Sequence, residues 1–402
     1  MTVNAFAAVG SGISSQIMYS LESSDGVNSG VWGVFPATAG VIGVWRPLEF
    51  KSETLALKKT TVQGQGLHAG GLFDRTSRRV LTNYDAGGAI TVDLPNRNLN
   101  SLLQMMTGSI NSSATGLAPG NVLYLPIQLG VTGAYQSYHS PGSTGGVSLA
   151  IQKGVPTADA AGSTVVEPFS YVGCKISDWE ISVQTGAIVQ FMMTIDARNE
   201  LAGTGNGDPL NTAVPALQTF TETGVQGTVT TPGFTDPLSV FHFRQATLNT
   251  GGVPTLSTGK LTVPGAAAAA NIKSCSFKET HALDTNRYFI GSNGFKAEQI
   301  ENGFRKLTGS FEAEFLSSET YYNAFAADTT LSLQLTFVGG TAGTSGTNAD
   351  TLTVTFPNVK LDGESPTIGG PGVVTEKVSF TGLDDNATVP YQITYISSDS
   401  SV

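Results

Sequence analysis

The sequence predicts a mainly β protein built as two tandem β-sandwich or β-barrel-type domains, each with one short flanking α-helix. Three observations carry this. Apolar and polar residues alternate with period two over many short stretches, as half-buried strands require. The composition is rich in Thr, Ser and Gly, with 48 glycines in 402 residues and charged residues at only 13%, which suits sheets joined by turns and disfavours helix bundles. The third is an internal repeat. One constant shift lays Glu53, Thr54, Ala56 and Leu57 on Glu279, Thr280, Ala282 and Leu283, and Arg79, Leu81 and Thr82 on Arg305, Leu307 and Thr308. After a short contraction, Gly88, Ile90, Val92 and Leu94 fall on Gly309, Phe311, Ala313 and Phe315. Several matches in one order point to duplication.

Each copy then offers a short helix. In the first, Asn98 is the expected N-cap, Leu99, Leu102, Leu103 and Met106 share one face, and Gly108 is the stop. In the second, Ser317 or Ser318 is the expected cap and Tyr321, Tyr322 and Phe325 form the apolar face. The chain length exceeds what one core usually organises. We therefore expect a first domain over 1–205, a Gly-, Pro- and Thr-rich linker over 206–235, and a second domain over 236–402.

In chain order, residues 1–46 read as an extended arm with one strand, containing Tyr19, Glu22, Trp32 and Trp45. The stretch 58–77 is too long for a tight hairpin and reads as a protruding loop, in which Leu67, Leu72 and Phe73 favour docking on something. Candidate strands YLPIQL and VSLAIQK lie in the turn-rich region 109–168. A hairpin follows over 175–195: Trp179, Ile181 and Val183 alternate with Asp178, Glu180 and Ser182, and after a turn at Gln184–Gly186 Val189, Phe191, Met193 and Ile195 alternate with Gln190, Met192 and Thr194. In the second half Leu331, Leu333, Leu335 and Phe337 form the clearest strand. TLTVTF, VVTEKVSF and YQITYI follow, the middle one mirroring AIVQFMMTI.

The formal charge is −10 with no Lys/Arg-rich run, so the counterion-release term of ordinary nucleic-acid binding is missing. Cys174 and Cys275 are too few for a disulfide framework and are expected as small buried hydrophobes. The opening MTVNAFAAVG has neither a basic region nor a long apolar run, so no signal peptide is expected, and no apolar run is long enough for a membrane-spanning helix. A chain that is cytoplasmic when made is the expectation.

Chemistry is sparse. His68, His139, His242 and His281 have no partner at metal-ligand spacing, and GxSxG, HExxH and P-loop patterns do not occur. Gly64, Gly66 and Ala69 fit a dinucleotide-turn pattern, but Gly70 and Gly71 follow at once where a helix would have to open. Asp178 with Glu180, and Glu312 with Glu314, are side by side on strands rather than across a cleft, which suits a solvated face better than glycoside chemistry. No catalytic, cofactor-binding or metal-binding residue is expected.

The segments YSLESSDGV, LEFKSETLAL, RRVLTNYDAGGAITVDL running into NLNSLLQMMTG, GFKAEQIENGFRKLTGSFEAEFLSSETYYNAF and TLTVTFPNVKLDGESP, in this order, resemble the tail tube proteins (major tail proteins) of long-tailed bacteriophages over nearly the whole chain. The resemblance implies a non-enzymatic virion protein, made in the host cytoplasm, whose sandwich domains join inner sheets edge to edge into rings. Such rings stack into a tube that conducts the genome without sequence-specific binding. It also implies a trimeric ring with pseudo-sixfold symmetry rather than a hexamer of single domains, with tape-measure and tail terminator proteins as further partners. On that reading the inner sheet is built from 48–57, 175–195, 277–283 and 373–380, with Asp178, Glu180, Gln190, Glu279 and Thr375 as lumen-facing positions. Loop 58–77 would stack rings and arm 1–46 would reach a neighbour. The alternative is another virion or surface β-protein, a capsid, decoration or adhesin subunit.

Overall fold

The computed structural model describes residues 15–23, 32–36, 45–66, 71–111, 121–126, 148–158, 164–218 except 204, 206 and 212, 222–224, 227–229, and 239–397 except 258, 259, 270, 318–320, 342–348, 364, 367, 369, 386 and 387. The first half carries β1 (Gln16–Ser23), β2 (Arg46–Leu48), β3 (Ser52–Glu53), β4 (Ala56–Gln63), β5 (Arg79–Asp93), α1 (Asn100–Thr107), β6 (Gly108–Asn111), β7 (Asn121–Pro126), β8 (Ser148–Ala158), β9 (Thr164–Gln184), β10 (Gln190–Ala197) and β11 (Asn199–Leu201). A small hairpin of β12 (Glu222–Gly224) and β13 (Gly227–Val229) follows. The second half has β14 (Ala246–Thr250), β15 (Thr255–Ser257), β16 (Lys260–Thr262), β17 (Ala267–Ala268), β18 (Ile272–Thr280), β19 (Leu283–Asp284), β20 (Ile300–Glu301), β21 (Lys306–Glu314), α2 (Tyr322–Ala326), β22 (Leu331–Thr341), β23 (Ala349–Asp362), β24 (Thr375–Gly382) and β25 (Gln392–Ile396).

The protein is thus mainly β, as expected. Its principal sheet runs β3/β4, β5, β10, β9, β18, β21, β24, all antiparallel. The strand β9 is longer than its sequence pattern suggested. Its first part pairs with β8 and β11 in a second layer, and its last part enters the principal sheet between β10 and β18. In the second half β23 does the same, pairing with β22 and β25 before its end reaches β24.

The two halves share a plan. The pairings β1–β8, β8–β9, β9–β10, β10–β5, β5–β3 and β9–β11 have the counterparts β14–β22, β22–β23, β23–β24, β24–β21, β21–β18 and β23–β25. Gly88 faces Ile195 and Gly309 faces Phe380 in corresponding places. At Gly88 a Cβ would run into the Thr54 carbonyl, and at Gly309 into the Ser276 carbonyl and the Phe380 ring. By that pairing Ala86, not Leu81, corresponds to Leu307, because β5 extends further than β21: Leu81 stands in an exposed hairpin while Leu307 is buried.

One apolar cluster runs through both halves, including Trp179, Phe191, Phe277, Phe311, Phe356, Phe380 and Tyr391. Phe277 stacks on Phe356 at 4.8 Å and Trp179 lies 6.1 Å from Tyr391. Burying such rings supplies about 1.5–3 kcal/mol each, so the halves stabilise each other.

Several expectations need correction. Asn98 does not cap α1: it has a left-handed backbone (φ 62), and Leu99 occupies the cap without a side-chain bond. The chain enters the helix instead through the Tyr19 hydroxyl, which donates to the Asn98 carbonyl, and the Tyr395 hydroxyl, which donates to that of Asn96. Gly108 does end the helix in the left-handed conformation (φ 80). Helix α2 likewise starts at Tyr321 with no side-chain cap; Ser318 lies outside the described residues. The arm's strand β1 is not a free extension, since it sits between β2 and β8 with Ile17, Met18 and Tyr19 buried. Residues 1–14 lie outside the described residues. Within the expected linker, Asp208 is buried against Arg198 at 2.7 Å and the Gln218 N–H donates to Gln152 at 2.6 Å, so this stretch packs on the first half. Cys174 and Cys275 are free and buried.

Gly309→Ala should destabilise the protein by about 1–3 kcal/mol, because the added methyl meets backbone that cannot yield. A urea unfolding curve measures this; an unchanged midpoint would show that the strands separate easily there.

Candidate assembly surface

Strand alternation puts one face of the principal sheet on the core and leaves the other polar. Gln190 lies opposite both Ser182 and Asp93, Thr194 opposite Asp178, Glu180 opposite both Met192 and Lys278, Glu312 opposite Lys377 and Thr375 opposite Glu314. Asp178, Glu180, Gln190 and Thr375 therefore share one partly exposed face that crosses both halves. The carboxylates Asp93, Asp178, Glu180, Asp196, Glu312, Glu314 and Asp362 and the lysines Lys278, Lys306, Lys360 and Lys377 are among its residues. The direct Glu180–Lys278 and Glu312–Lys377 pairs are favourable cross-strand neighbours. The surplus is acidic, so the face offers no lattice of cations to phosphates.

Glu279 is a correction. It faces the core and is only 1% exposed. Its register explains this: Glu279 pairs with Trp179 and Leu307, both core-facing. Its Oε2 accepts from the Trp179 indole (2.8 Å) and the Tyr391 hydroxyl (2.7 Å) and lies 3.0 Å from His281 Nε2; Arg305 reaches Oε1 at 3.3 Å. Burial alone would raise this carboxyl's pKa, but His281 and Arg305 outweigh it and hold the group at about 2. Arg305 also bonds Glu301 and reaches the Met106 carbonyl near the end of α1. Sequence alternation alone cannot separate a carboxylate on a solvent face from one ion-paired in the core.

The expected loop over 58–77 is largely a hairpin. β4 and β5 pair out to Gln63 opposite Arg79, and the Gly64 N–H donates to the Arg78 carbonyl at 3.0 Å. Gly64 and Gly66 thus end a strand rather than opening a helix. Leu72 and Phe73 at the tip are 93% and 90% exposed, and Leu67 lies outside the described residues. The residues 284–301 hold the base of this hairpin: Phe295 stacks on Tyr84 at 4.8 Å, the Tyr288 hydroxyl donates to the Tyr84 carbonyl at 2.7 Å, and Lys296 bridges Asp85 (2.5 Å) and Asp196 (2.6 Å). Lys175, buried in β9, pairs with Glu298 at 2.7 Å. This segment, an apolar surface that the sequence reading passed over, also exposes Phe289 and Ile290, and Phe304 is exposed just beyond it. Its position in the repeat, matching 58–77, was the signal that could have found it.

Among the described residues no group of three or more His, Cys, Asp or Glu is placed to hold a metal ion, and no helix is long and apolar enough to cross a membrane. The described surface combines a broad polar sheet face with exposed apolar projections. Residues 12–382 match the family model of the phage tail tube protein, and the chain belongs to that family. No curated protein matches it. Membership makes it a structural component of the viral tail.

Glu279 is ionised in the fold at a pH where it would be protonated in the unfolded chain. Its contribution to stability is present above the ordinary 4.5 and is lost as pH falls toward about 2. Glu279→Gln should cost about 3 kcal/mol at pH 7, with the gap to wild type narrowing between pH 4.5 and 2. Thermal melts across that range check it; a gap independent of pH would mean that charge pairing is not the cause.

Proposed function

We propose that three copies join their principal sheets into a ring, that rings stack into the hollow tail tube, and that genomic DNA passes through it to the host cell. The observation that carries this reading is the single polar sheet face spanning both halves. Two repeats of one plan in each chain would give a three-chain ring six similar lobes, with the first tube domain in the first half and the second in the last. With Asp178, Glu180, Gln190 and Thr375 on the lumen wall, a DNA duplex would meet hydroxyls, amides and a modest acidic excess. It would slide rather than bind. The β4–β5 hairpin, with Leu72 and Phe73 at its tip, and the exposed Phe289, Ile290 and Phe304 would then contact the adjacent ring. Tape-measure and tail terminator proteins would meet the lumen and the last ring.

Electron microscopy of concentrated purified protein should show hollow rings or tubes with six lobes and three chains per ring; compact monomers at every concentration would reject the proposal. Replacing residues 64–78 with a two-residue turn should leave folded protein that forms rings but no tubes, read by sedimentation and negative stain. Normal tubes from that variant would remove the hairpin from stacking.

A further inference from the structure

Lys296 is buried where the two halves meet, its side chain only 2% exposed, and its ammonium touches two carboxylates of the first half: Asp196 of β10 at 2.6 Å and Asp85 of β5 at 2.5 Å. The surroundings fix all three. Phe295, just before Lys296, stacks on Tyr84, just before Asp85, with the rings 4.8 Å apart and nearly parallel, and the Tyr84 N–H donates to the Gly294 carbonyl at 2.9 Å. Arg198, two residues past Asp196, donates to the Lys296 carbonyl at 3.0 Å. While Asp196 Oδ1 faces the lysine, its Oδ2 accepts from the Gln299 amide at 2.7 Å.

The cluster holds one ammonium between two carboxylates, and taking charges out of water disfavours their ionised forms. At Asp196 burial outweighs the pull of Lys296 and Gln299 and raises the carboxyl above its ordinary value. Asp85 is different: its side chain is 48% exposed and keeps its contact with water. Together these groups are the parts of a condensation. An amine is held against one carboxyl, an N–H points at that carboxyl's other oxygen, where negative charge would develop, and a second carboxylate touches the amine and can carry its protons. A depression of about 350 Å³ bordered by Thr54, Lys58, Asp85 and Asp196 lies beside them, so a small leaving molecule has a way out.

We infer that Lys296 and Asp196 condense into an amide, a covalent tie between the two halves, with Asp85 as the proton carrier. Asp85 takes one proton from the Lys296 ammonium and delivers it to Asp196 Oδ1. The neutral amine then attacks Asp196 Cγ; the N–C bond forms, and the displaced carbonyl pair moves to Oδ2, where the Gln299 N–H receives it. Asp85 takes a second proton from the attached nitrogen and hands it to the Oδ1 hydroxyl. As the carbonyl re-forms, the Cγ–Oδ1 bond breaks with its electrons and water leaves. Of the three ammonium protons, two depart in the water and one stays on the amide, and Asp85 ends as the carboxylate it began as. Condensation replaces a buried ion pair by a neutral group and leaves the remaining charge on Asp85, the carboxylate that water reaches. The link joins residues 100 apart in the chain, tying β10 to the segment that holds the base of the β4–β5 hairpin. It forms within one chain and does not depend on the ring.

Mass spectrometry of the full chain tests this. Folded protein should be lighter than its sequence by one water, and a protease digest should contain one branched peptide joining the stretch around Asp196 to the stretch around Lys296. Lys296→Arg, which keeps the charge and cannot form the amide, should have its full sequence mass. Asp196→Asn should lose ammonia in place of water and reach the same mass as linked wild type. Asp85→Asn should link at least tenfold more slowly, followed as the linked fraction against time after refolding. Circular dichroism establishes that each variant folds; should Lys296→Arg fail to fold, the branched peptide of the wild type decides. Folded wild type at its full sequence mass would overturn the inference, and so would a water lost equally from Lys296→Arg, which would come from elsewhere in the chain. Linkage at an undiminished rate in Asp85→Asn would overturn the role given to Asp85.

Discussion

The structure depends on β9 lying alongside β18. This pairing turns two sets of strands into one sheet, and it is sealed from beneath by the hydrogen bond from Trp179 to Glu279. An ionised carboxylate in an apolar core is tolerable only when its oxygens are satisfied. Here one oxygen receives the indole and a tyrosine hydroxyl beside a histidine, and the other faces Arg305. The same arginine extends to the carbonyl of Met106, so the helix of the first half is tied to the residue that leads into β21 in the second. Removing one partner would strand the others, which is why such a cluster specifies a single arrangement rather than merely adding stability.

A second set of buried polar contacts works in the same direction. Lys175 with Glu298, Lys296 with Asp196, and Arg198 with the Lys296 carbonyl hold the segment 284–301 of the second half against strands of the first. That segment supports the base of the β4–β5 hairpin through the stacked rings of Tyr84 and Phe295. A two-stranded hairpin is marginal in water by itself. Held at its base, it can project exposed Leu72 and Phe73 without unravelling.

The polar face of the sheet carries little chemistry. It consists of hydroxyls, amides and interleaved charges in which Glu180 meets Lys278 and Glu312 meets Lys377. It presents no cluster of cations, and the cross-strand pairs offset part of its acidic surplus. The small share of charged residues in the chain and this pairing both keep the face sparing in charge.

The sequence by itself determined the β class, the alternation of β9, β10 and β22, the glycine stop of α1, and the grouping of Asp178, Glu180 and Gln190 on one face. Each is local: period two, a glycine's backbone freedom, a repeated spacing. Only the tertiary structure decided that Glu279 lies inside, that β1 is a member of a sheet rather than an arm, and that residues 58–63 are strand. It also decided that Phe289, Ile290 and Phe304 are exposed. These outcomes turn on partners far away in the chain. A carboxylate becomes a core residue when Trp179, Tyr391 and Arg305 arrive to satisfy it, and a strand joins a sheet when another offers its edge. No local pattern records either event.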